Sequence, residues 1–194
     1  MEYINDLRKL KFNEYSKIHI QKRKEFIQAT TRDDTLAIVL KAHLYIEAEL
    51  EELLRLGTKN YKELDLKYFK EKLNLCYGIG LIDRDLYTVL KKFNTIRNKY
   101  GHRVDFEITE TDFKEMYDLM NSEQKREYSE DLKITTMSSQ ETFDIRVRVL
   151  LASLFSEVVV SSQSVNSTIV DNFLEWQINI LNEYSDILKQ GVDK

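Results

Sequence analysis

The sequence predicts an all-α fold, a helical bundle of six to seven helices. Proline is absent and only five of the 194 residues are glycine, so long helices can run without interruption. Apolar residues recur every three or four positions through most of the chain, which is the period of an amphipathic helix. The polar connections between these segments are short, and short connections favour antiparallel neighbours in a bundle.

The first two helices are predicted from their apolar stripes and their boundary residues. One helix covers residues 2 to about 28. Thr31 with Asp34 three residues later resembles a capping box, which predicts the start of the second helix. That helix runs to about Leu56, and Gly57 is well placed to end it.

Two more helices are predicted before residue 104. Asp65 is the expected cap of a short helix that continues through about Tyr77, and Gly78-Ile79-Gly80 breaks it. Asp83 is the expected cap of the next helix. Its inward face is predicted to carry the apolar residues Leu86, Val89, Leu90, Phe93, Ile96 and Tyr100.

The second half predicts two or three further helices. Thr109 with Asp112 indicates a helix that ends between Met120 and Tyr128, and residues 129 to 138 show no clear period. Ser138 with Glu141 predicts the start of a long, largely buried helix. We expect this helix to end near Ser162, a serine-rich turn to follow over residues 161 to 167, and a last helix to run from about Thr168 to Gln190.

Composition limits the class of protein. Asp and Glu outnumber Lys and Arg by 33 to 29, a net charge of −4, which argues against a general nucleic-acid coat protein but leaves room for a local basic groove. Cys76 is the only cysteine, which excludes a disulfide within the chain, and we predict it to be a core residue. No signal peptide and no run of 18 apolar residues is evident, so we expect a cytoplasmic protein with no membrane segment. The three histidines are scattered, and we predict no metal and no cofactor.

Residues 86 to 104 form a basic segment in this acidic chain. They include five Lys or Arg residues and one His, with no acidic residue. Arg97, Asn98 and His102 lie within it. Arg can hold a phosphate with two parallel hydrogen bonds, and His can exchange a proton near neutral pH. RNA supplies its own nucleophile, the 2′-hydroxyl, so such a site could cleave RNA without a metal.

Spacing alone leaves two interpretations of this segment. On a straight helix, positions five apart are rotated by about 140°, so Arg97 and His102 would not share a face. Gly101 is a poor helix residue and could let His102 turn back toward Arg97. The alternative is a histidine favoured by the negative end of the helix dipole, beside a surface arginine.

Longer stretches around this segment resemble the HEPN superfamily. The resemblance rests on the acidic helix 45–54, on Leu-Cys-Tyr-Gly-Ile-Gly-Leu-Ile at 75–82 and on Ile-Arg-Asn-Lys-Tyr-Gly-His at 96–102, with a weaker echo at 142–151. Within the superfamily the chain looks most like the mannitol operon repressor group. The resemblance implies one all-helical HEPN-like domain over residues 1–194, with a core at about 33–155 and a C-terminal helical extension at about 156–194.

The resemblance also implies a function. Many HEPN proteins are metal-independent endoribonucleases that act as homodimers, leave a 2′,3′-cyclic phosphate and belong to toxin–antitoxin or antiphage systems. Carried over by position, Arg97 would polarise the phosphate, Asn98 would orient the site and His102 would be the general acid and base. The implied partners are RNA, a second copy of the chain, and an antitoxin or defence protein. The alternative is a non-catalytic HEPN regulator or protein-interaction module.

Electrostatics suggests further residues around this site. We expect Lys91, Lys92, Lys99 and Arg103 to form a rim that follows an RNA backbone.

Two other histidines have a structural and a functional interpretation. His43 and Glu47, four apart on a helix, either support the site from behind or form a polar pair that hydrogen-bonds within the core, which is the favoured interpretation. His19 lies in the basic stretch 17–24, which predicts a solvated helix face rather than an RNA contact.

Overall fold

A computed structural model describes residues 2–100, 107–137 and 140–192, with the side chains of 1–12, 100, 170–171, 173–175 and 177–192 left out. These ranges contain seven α-helices, one 3₁₀ turn at Tyr61–Glu63 and no strand, which confirms the predicted all-α bundle of six to seven helices. The helices are α1 Glu2–Thr30, α2 Thr35–Gly57, α3 Phe69–Gly78, α4 Arg84–Tyr100, α5 Glu110–Leu119, α6 Ser122–Thr136 and α7 Phe143–Val192. Within the same ranges, no helix combines the length and apolarity that a membrane span requires.

The core is centred on α2 and the first half of α7, which pack against each other more extensively than any other pair of helices in the described ranges. Three aromatic rings join α1 to this pair. The Phe26 ring on α1 lies 5.5 Å from the Tyr45 ring on α2 and 5.3 Å from the Phe155 ring on α7, measured between centroids. Buried aromatic rings remove large apolar areas from water, so this contact stabilises the docking of α1.

The boundary of α4 agrees with the sequence. Asp83 Oδ1 accepts a hydrogen bond from the Leu86 backbone N–H at 2.8 Å, as a cap does. Gly80, in the preceding turn, has a φ of +78°, a conformation that glycine adopts without strain. Five of the six predicted inward residues of α4 are buried, namely Leu86, Val89, Leu90, Phe93 and Ile96, and the side chain of the sixth, Tyr100, lies outside those described.

Two predicted helix caps are wrong. α2 is capped by Asp34 itself, whose Oδ1 accepts from the Ala37 N–H at 2.8 Å, and not by Thr31. α3 begins at Phe69 and not near Asp65, because the Glu71 carboxylate accepts the backbone N–H groups of residues 67 and 68, at 2.9 and 3.0 Å. A carboxylate thus fixes each start: Asp34 satisfies an N–H group in the first turn of α2, and Glu71 satisfies the two N–H groups that immediately precede α3.

Helix α5 ends earlier than the longest predicted extent, and α6 was not predicted. The Thr109–Asp112 capping box opens α5 as expected, but α5 ends at Leu119. Asn121 then caps α6, with Gln124 completing a second capping box. Only three of the fifteen residues of α6 are apolar, namely Tyr128, Leu132 and Ile134, so its sequence lacks the apolar period that reveals an amphipathic helix.

The predicted turn at residues 161–167 is also wrong, because α7 continues through it for a total of 50 residues. The hydroxyls of Ser161 and Ser162 donate to the carbonyls of residues 157 and 158, four positions back, at 3.0 and 3.2 Å. Gln163 Nε2 donates to the Tyr15 carbonyl of α1 at 2.8 Å. Packing against α1 therefore outweighs the turn preference of serine.

The start of α7 is corrected as well. The helix begins at Phe143, and Thr142 Oγ1 accepts from the Ile145 N–H at 3.3 Å. The predicted cap Ser138 lies outside the described residues.

Candidate functional site

Arg97 lies in the last turn of α4, at the edge of the buried face, as the sequence predicts. Its side chain is half-buried, and Nη1 donates to the exposed Asn98 Oδ1 at 3.4 Å. The buried Nε has no hydrogen-bond partner, and no carboxylate of the described residues forms an ion pair with Arg97. A half-buried guanidinium that lacks a carboxylate can accept an anionic ligand.

His102 and Arg103, with Gly101 before them, lie between α4 and residue 107, outside the described residues. The assignment of His102 as general acid and base therefore stays a prediction, as does the place of Arg103 in the basic rim.

His43 is buried on α2 beside α4. Its ring is stacked on Phe69, with centroids 4.4 Å apart, and Nε2 lies 3.3 Å from Asn94 Oδ1, to which it donates in the Nε2–H tautomer. Asn94 lies one turn before Arg97. Burial lowers the pKa of His43, and the positive charge of Arg97 lowers it further against the opposing effects of Asn94 and Glu47. His43 is therefore neutral at pH 7 and electrostatically coupled to Arg97.

Glu47 pairs with Lys72 of α3 and not with His43. His43 Nδ1 is 3.8 Å from Glu47 Oε2, which is too long for a hydrogen bond. Glu47 Oε1 instead accepts from Lys72 Nζ on α3 at 3.1 Å, and Lys72 also contacts Glu51 at 3.3 Å. His43 and Glu47 therefore hydrogen-bond to Asn94 and Lys72 and not to each other, while the electrostatic coupling of His43 to Arg97 is what a supporting role would require.

The predicted basic rim contains lysines in two different settings. Lys92 Nζ is 2.5 Å from Glu115 and Lys99 Nζ is 2.9 Å from Asp112, so both lysines pair with carboxylates of α5. Burial alone would raise the pKa of Asp112, but hydrogen bonds from Lys99 and from residue 109 hold it below its ordinary value. Lys91 is exposed, and its Nζ lies 5.6 Å from the centroid of the Tyr87 ring.

Two other kinds of site were considered among the described residues, a cysteine nucleophile and a metal centre. Cys76 is buried, its Sγ donates to the Leu50 carbonyl at 3.6 Å, and burial raises the pKa of its thiol to about 12, so it is a core residue and not an activated nucleophile. In the part of the chain that the structure describes, no three His, Cys, Asp or Glu side chains are grouped as metal ligands.

A second polar cluster, at the opposite end of α4, was missed in the sequence. It includes His19, Ser156 and Glu157, which line one cleft with Asp83. Asp83 and Arg97 are 14 residues apart, or about 21 Å along a helix. One signal could have indicated it: Glu157 is the only acidic residue in the apolar run from Val147 to Val160.

Comparisons with protein-family models, curated proteins and solved structures found no match to this chain.

Proposed function

We propose that this chain is a metal-independent endoribonuclease of HEPN type, which cleaves RNA by attack of a 2′-hydroxyl. The observation that carries the proposal is the setting of Arg97. Its guanidinium is half-buried at the end of α4, its Nε has no hydrogen-bond partner, and its described neighbours provide no carboxylate. A phosphodiester supplies the charge and the acceptor oxygens that this group lacks.

The proposed reaction uses two copies of the motif in a homodimer. Arg97 binds a phosphate oxygen and stabilises the charge that grows there, and Asn98 orients the site. One His102 accepts the proton of the 2′-hydroxyl as its oxygen attacks phosphorus. The second His102, from the facing copy, donates a proton to the departing 5′-oxygen. The products are a 2′,3′-cyclic phosphate and a free 5′-hydroxyl.

His43 and Asn94 are the proposed positioning residues. Their 3.3 Å contact joins α2 to the turn of α4 that precedes Arg97. A buried hydrogen bond between helices restricts the orientation of that turn. Because His43 stays neutral at pH 7, it fixes the helix without adding a second positive charge next to Arg97.

The biological role that we propose is that of a toxin or antiphage defence effector acting in the cytoplasm, controlled by an antitoxin or another defence partner. Support for this role comes from the resemblance of residues 33–155 to the HEPN superfamily, many members of which belong to such systems.

The proposal is tested with purified wild type and His102→Ala, each incubated with total RNA and EDTA. Loss of a general acid or base typically costs about 10²- to 10⁴-fold in rate, so the variant should be nearly inactive. The control is His19→Ala, which changes a histidine on α1 outside the proposed site and should cleave like wild type. Wild-type products should carry 2′,3′-cyclic phosphate ends. Equal cleavage by wild type and His102→Ala would contradict the assignment of His102.

A second function, that of a non-catalytic interaction module, is favoured by one observation. Val160, Ile169 and Trp176 on α7 are about half exposed or more, at 50%, 49% and 57%. Ile169 and Trp176 are seven residues apart and therefore share one face of the helix, and exposed apolar residues grouped on one face are typical of a protein contact. A folded wild type that cleaves no RNA would favour this second function.

A further inference from the structure

A cleft of about 370 Å³ lies where α1, the start of α4, α6 and α7 meet. It is separated from Arg97 by most of the length of α4, and it is independent of the proposed ribonuclease site. Its lining is rich in polar side chains, whereas the surrounding faces of α4 and α7 are apolar.

Three buried side-chain atoms of this lining have no hydrogen-bond partner. They are His19 Nε2 on α1, and Ser156 Oγ and Glu157 Oε1 on α7. Leaving a buried polar group unpaired is costly, so three such groups in one cleft are unusual without a ligand.

Ser156 differs from other serines of its own helix. The hydroxyls of Ser153, Ser161 and Ser162 each donate to the carbonyl four residues back. The Ser156 hydroxyl makes no such bond, although the residue is only 4% exposed. The hydroxyl is therefore available to a molecule in the cleft.

Carboxylates dominate the charge of the lining. Asp83, Glu127, Glu130, Asp131 and Glu157 line the cleft. The one arginine in its lining is paired with Asp131, and Glu130 is paired with Arg126 of α6 at 2.8 Å, which leaves three carboxylates with no ion pair among the described residues. A complementary ligand is therefore a cation.

The donor set favours an organic cation over a metal ion. The described residues include no cluster of three metal-ligating side chains, and the cleft is far larger than a single ion. A primary ammonium donates three hydrogen bonds from one positive charge. Gln124 Nε2 already donates to Glu157 Oε2 at 2.7 Å, which leaves Oε1 as the open acceptor.

We propose that this cleft binds a small organic cation with a primary ammonium group, an alkyl diamine being the simplest member of the class. Glu157 is the counter-ion, and Ser156 and His19 provide the other hydrogen-bond partners. The ligand would join α1 to α6 and α7.

The proposal predicts a pH dependence. Burial raises the pKa of Glu157 to about 7, the nearby carboxylates of Glu127, Asp83 and Asp85 raise it too, and the hydrogen bond from Gln124 opposes them. Arg23 and Asp131 also face the cleft, as an ion pair. Burial, with the charge of Arg23, lowers the pKa of His19, which stays neutral above pH 6.5. Since an ammonium binds ionised Glu157 best, affinity should rise roughly tenfold from pH 6 to pH 8.

The test is titration calorimetry with putrescine, a four-carbon diamine, on the full chain at pH 8. Wild type should bind one putrescine per chain, and Glu157→Gln, which removes the charge but keeps the shape, should bind about tenfold more weakly. The control Glu52→Gln removes one charge from α2 outside the cleft and should bind within about twofold of wild type. Neither 1-butanol nor MgCl₂ at matched ionic strength should bind at this site.

A second variant, Ser156→Ala, distinguishes a loss of binding from a loss of folding. Ser156→Ala removes an unpaired hydroxyl, so its thermal stability without putrescine should equal or exceed that of wild type, while its affinity for putrescine should fall. The proposal is overturned if wild type does not bind putrescine at pH 8, if Glu157→Gln binds it equally well, or if MgCl₂ competes at equal charge.

Discussion

Near each end of α4 an arginine acts electrostatically on a histidine, but the two arginines are paired differently. At the C-terminal end, Arg97 has no carboxylate partner among the described residues, and His43 is bonded to Asn94 through Nε2, while its Nδ1 has no hydrogen-bond partner. At the N-terminal end, Arg23 is paired with Asp131, and His19 Nε2 has no partner. The same residue types therefore leave a positive charge open at one end and acidic groups open at the other.

The histidines do not create this difference. Burial is the main cause that lowers the pKa of both His19 and His43, and a nearby arginine is the second cause in each case. Both rings are therefore neutral at pH 7. The sign of the charge at each end depends on the carboxylates: they outnumber Arg23 in the cleft, whereas none of the described carboxylates pairs with Arg97.

The largest expected effect is a difference in RNA cleavage between variants of Arg97 and of Arg23. Arg97→Ala should lower RNA cleavage by about 10²- to 10³-fold, because it removes the group that stabilises phosphate charge. Arg23→Ala should leave cleavage within about twofold of wild type but lower the free energy of unfolding by about 1 kcal/mol, since it leaves Asp131 unpaired. Cleavage assays and urea unfolding measure both quantities.

This contrast fails if the two variants lose cleavage equally. Such a result would mean that Arg97 acts through folding, and the open guanidinium would carry no catalytic meaning. Arg97→Lys adds a stricter comparison, because lysine keeps the charge but not the paired hydrogen bonds.

The next largest effect is the pH dependence of stability that Glu157 causes in the cleft near the N-terminal end of α4. The pKa of Glu157 is about 7 in the folded chain against an ordinary value of 4.5. A folded-state pKa above the unfolded one means that the contribution of Glu157 to the free energy of unfolding is greatest below pH 4.5 and is lost as the pH rises through 7. Glu157→Gln should therefore be more stable than wild type at pH 8 by about 3 kcal/mol and nearly equal to it at pH 4.5.

Urea unfolding of both proteins between pH 4.5 and 8 measures this difference. His19 and His43 titrate in both proteins, so their contributions cancel in the comparison. A difference that does not change with pH would show that Glu157 is ionised throughout and that the cleft is more open to water than its contacts indicate.

Features set by near neighbours in the chain could be predicted from the sequence. The apolar face of α4, the cap at Asp83 and the capping box at Thr109 and Asp112 all depend on residues three or four apart. The half-buried position of Arg97 follows from the same helical period.

Features that depend on residues far apart in the chain could not be predicted from the sequence. His43 and Asn94 are 51 residues apart, and the Gln163 contact with Tyr15 that accompanies the continuous α7 spans 148 residues. The cleft around Glu157 brings together four separate segments. Local propensity indicated a turn at the serines of α7, and tertiary packing overrode it. The role of His102 is still a prediction.

The smallest expected effect is a difference in RNA binding between variants of two adjacent lysines of α4, Lys91 and Lys92. Lys91 is exposed with no carboxylate partner among the described residues, whereas Lys92 is 2.5 Å from Glu115. In a His102→Ala background that does not cleave, Lys91→Ala should weaken binding of a fluorescent single-stranded RNA by about two- to fivefold and reduce the salt dependence of log K by about 0.7. Lys92→Ala should change both quantities less, because an RNA phosphate must first displace Glu115. Fluorescence anisotropy at several salt concentrations measures the two slopes. Equal losses for the two variants would mean that RNA readily opens the lysine–glutamate pair, and pairing would then not decide which cations of this end contact the backbone.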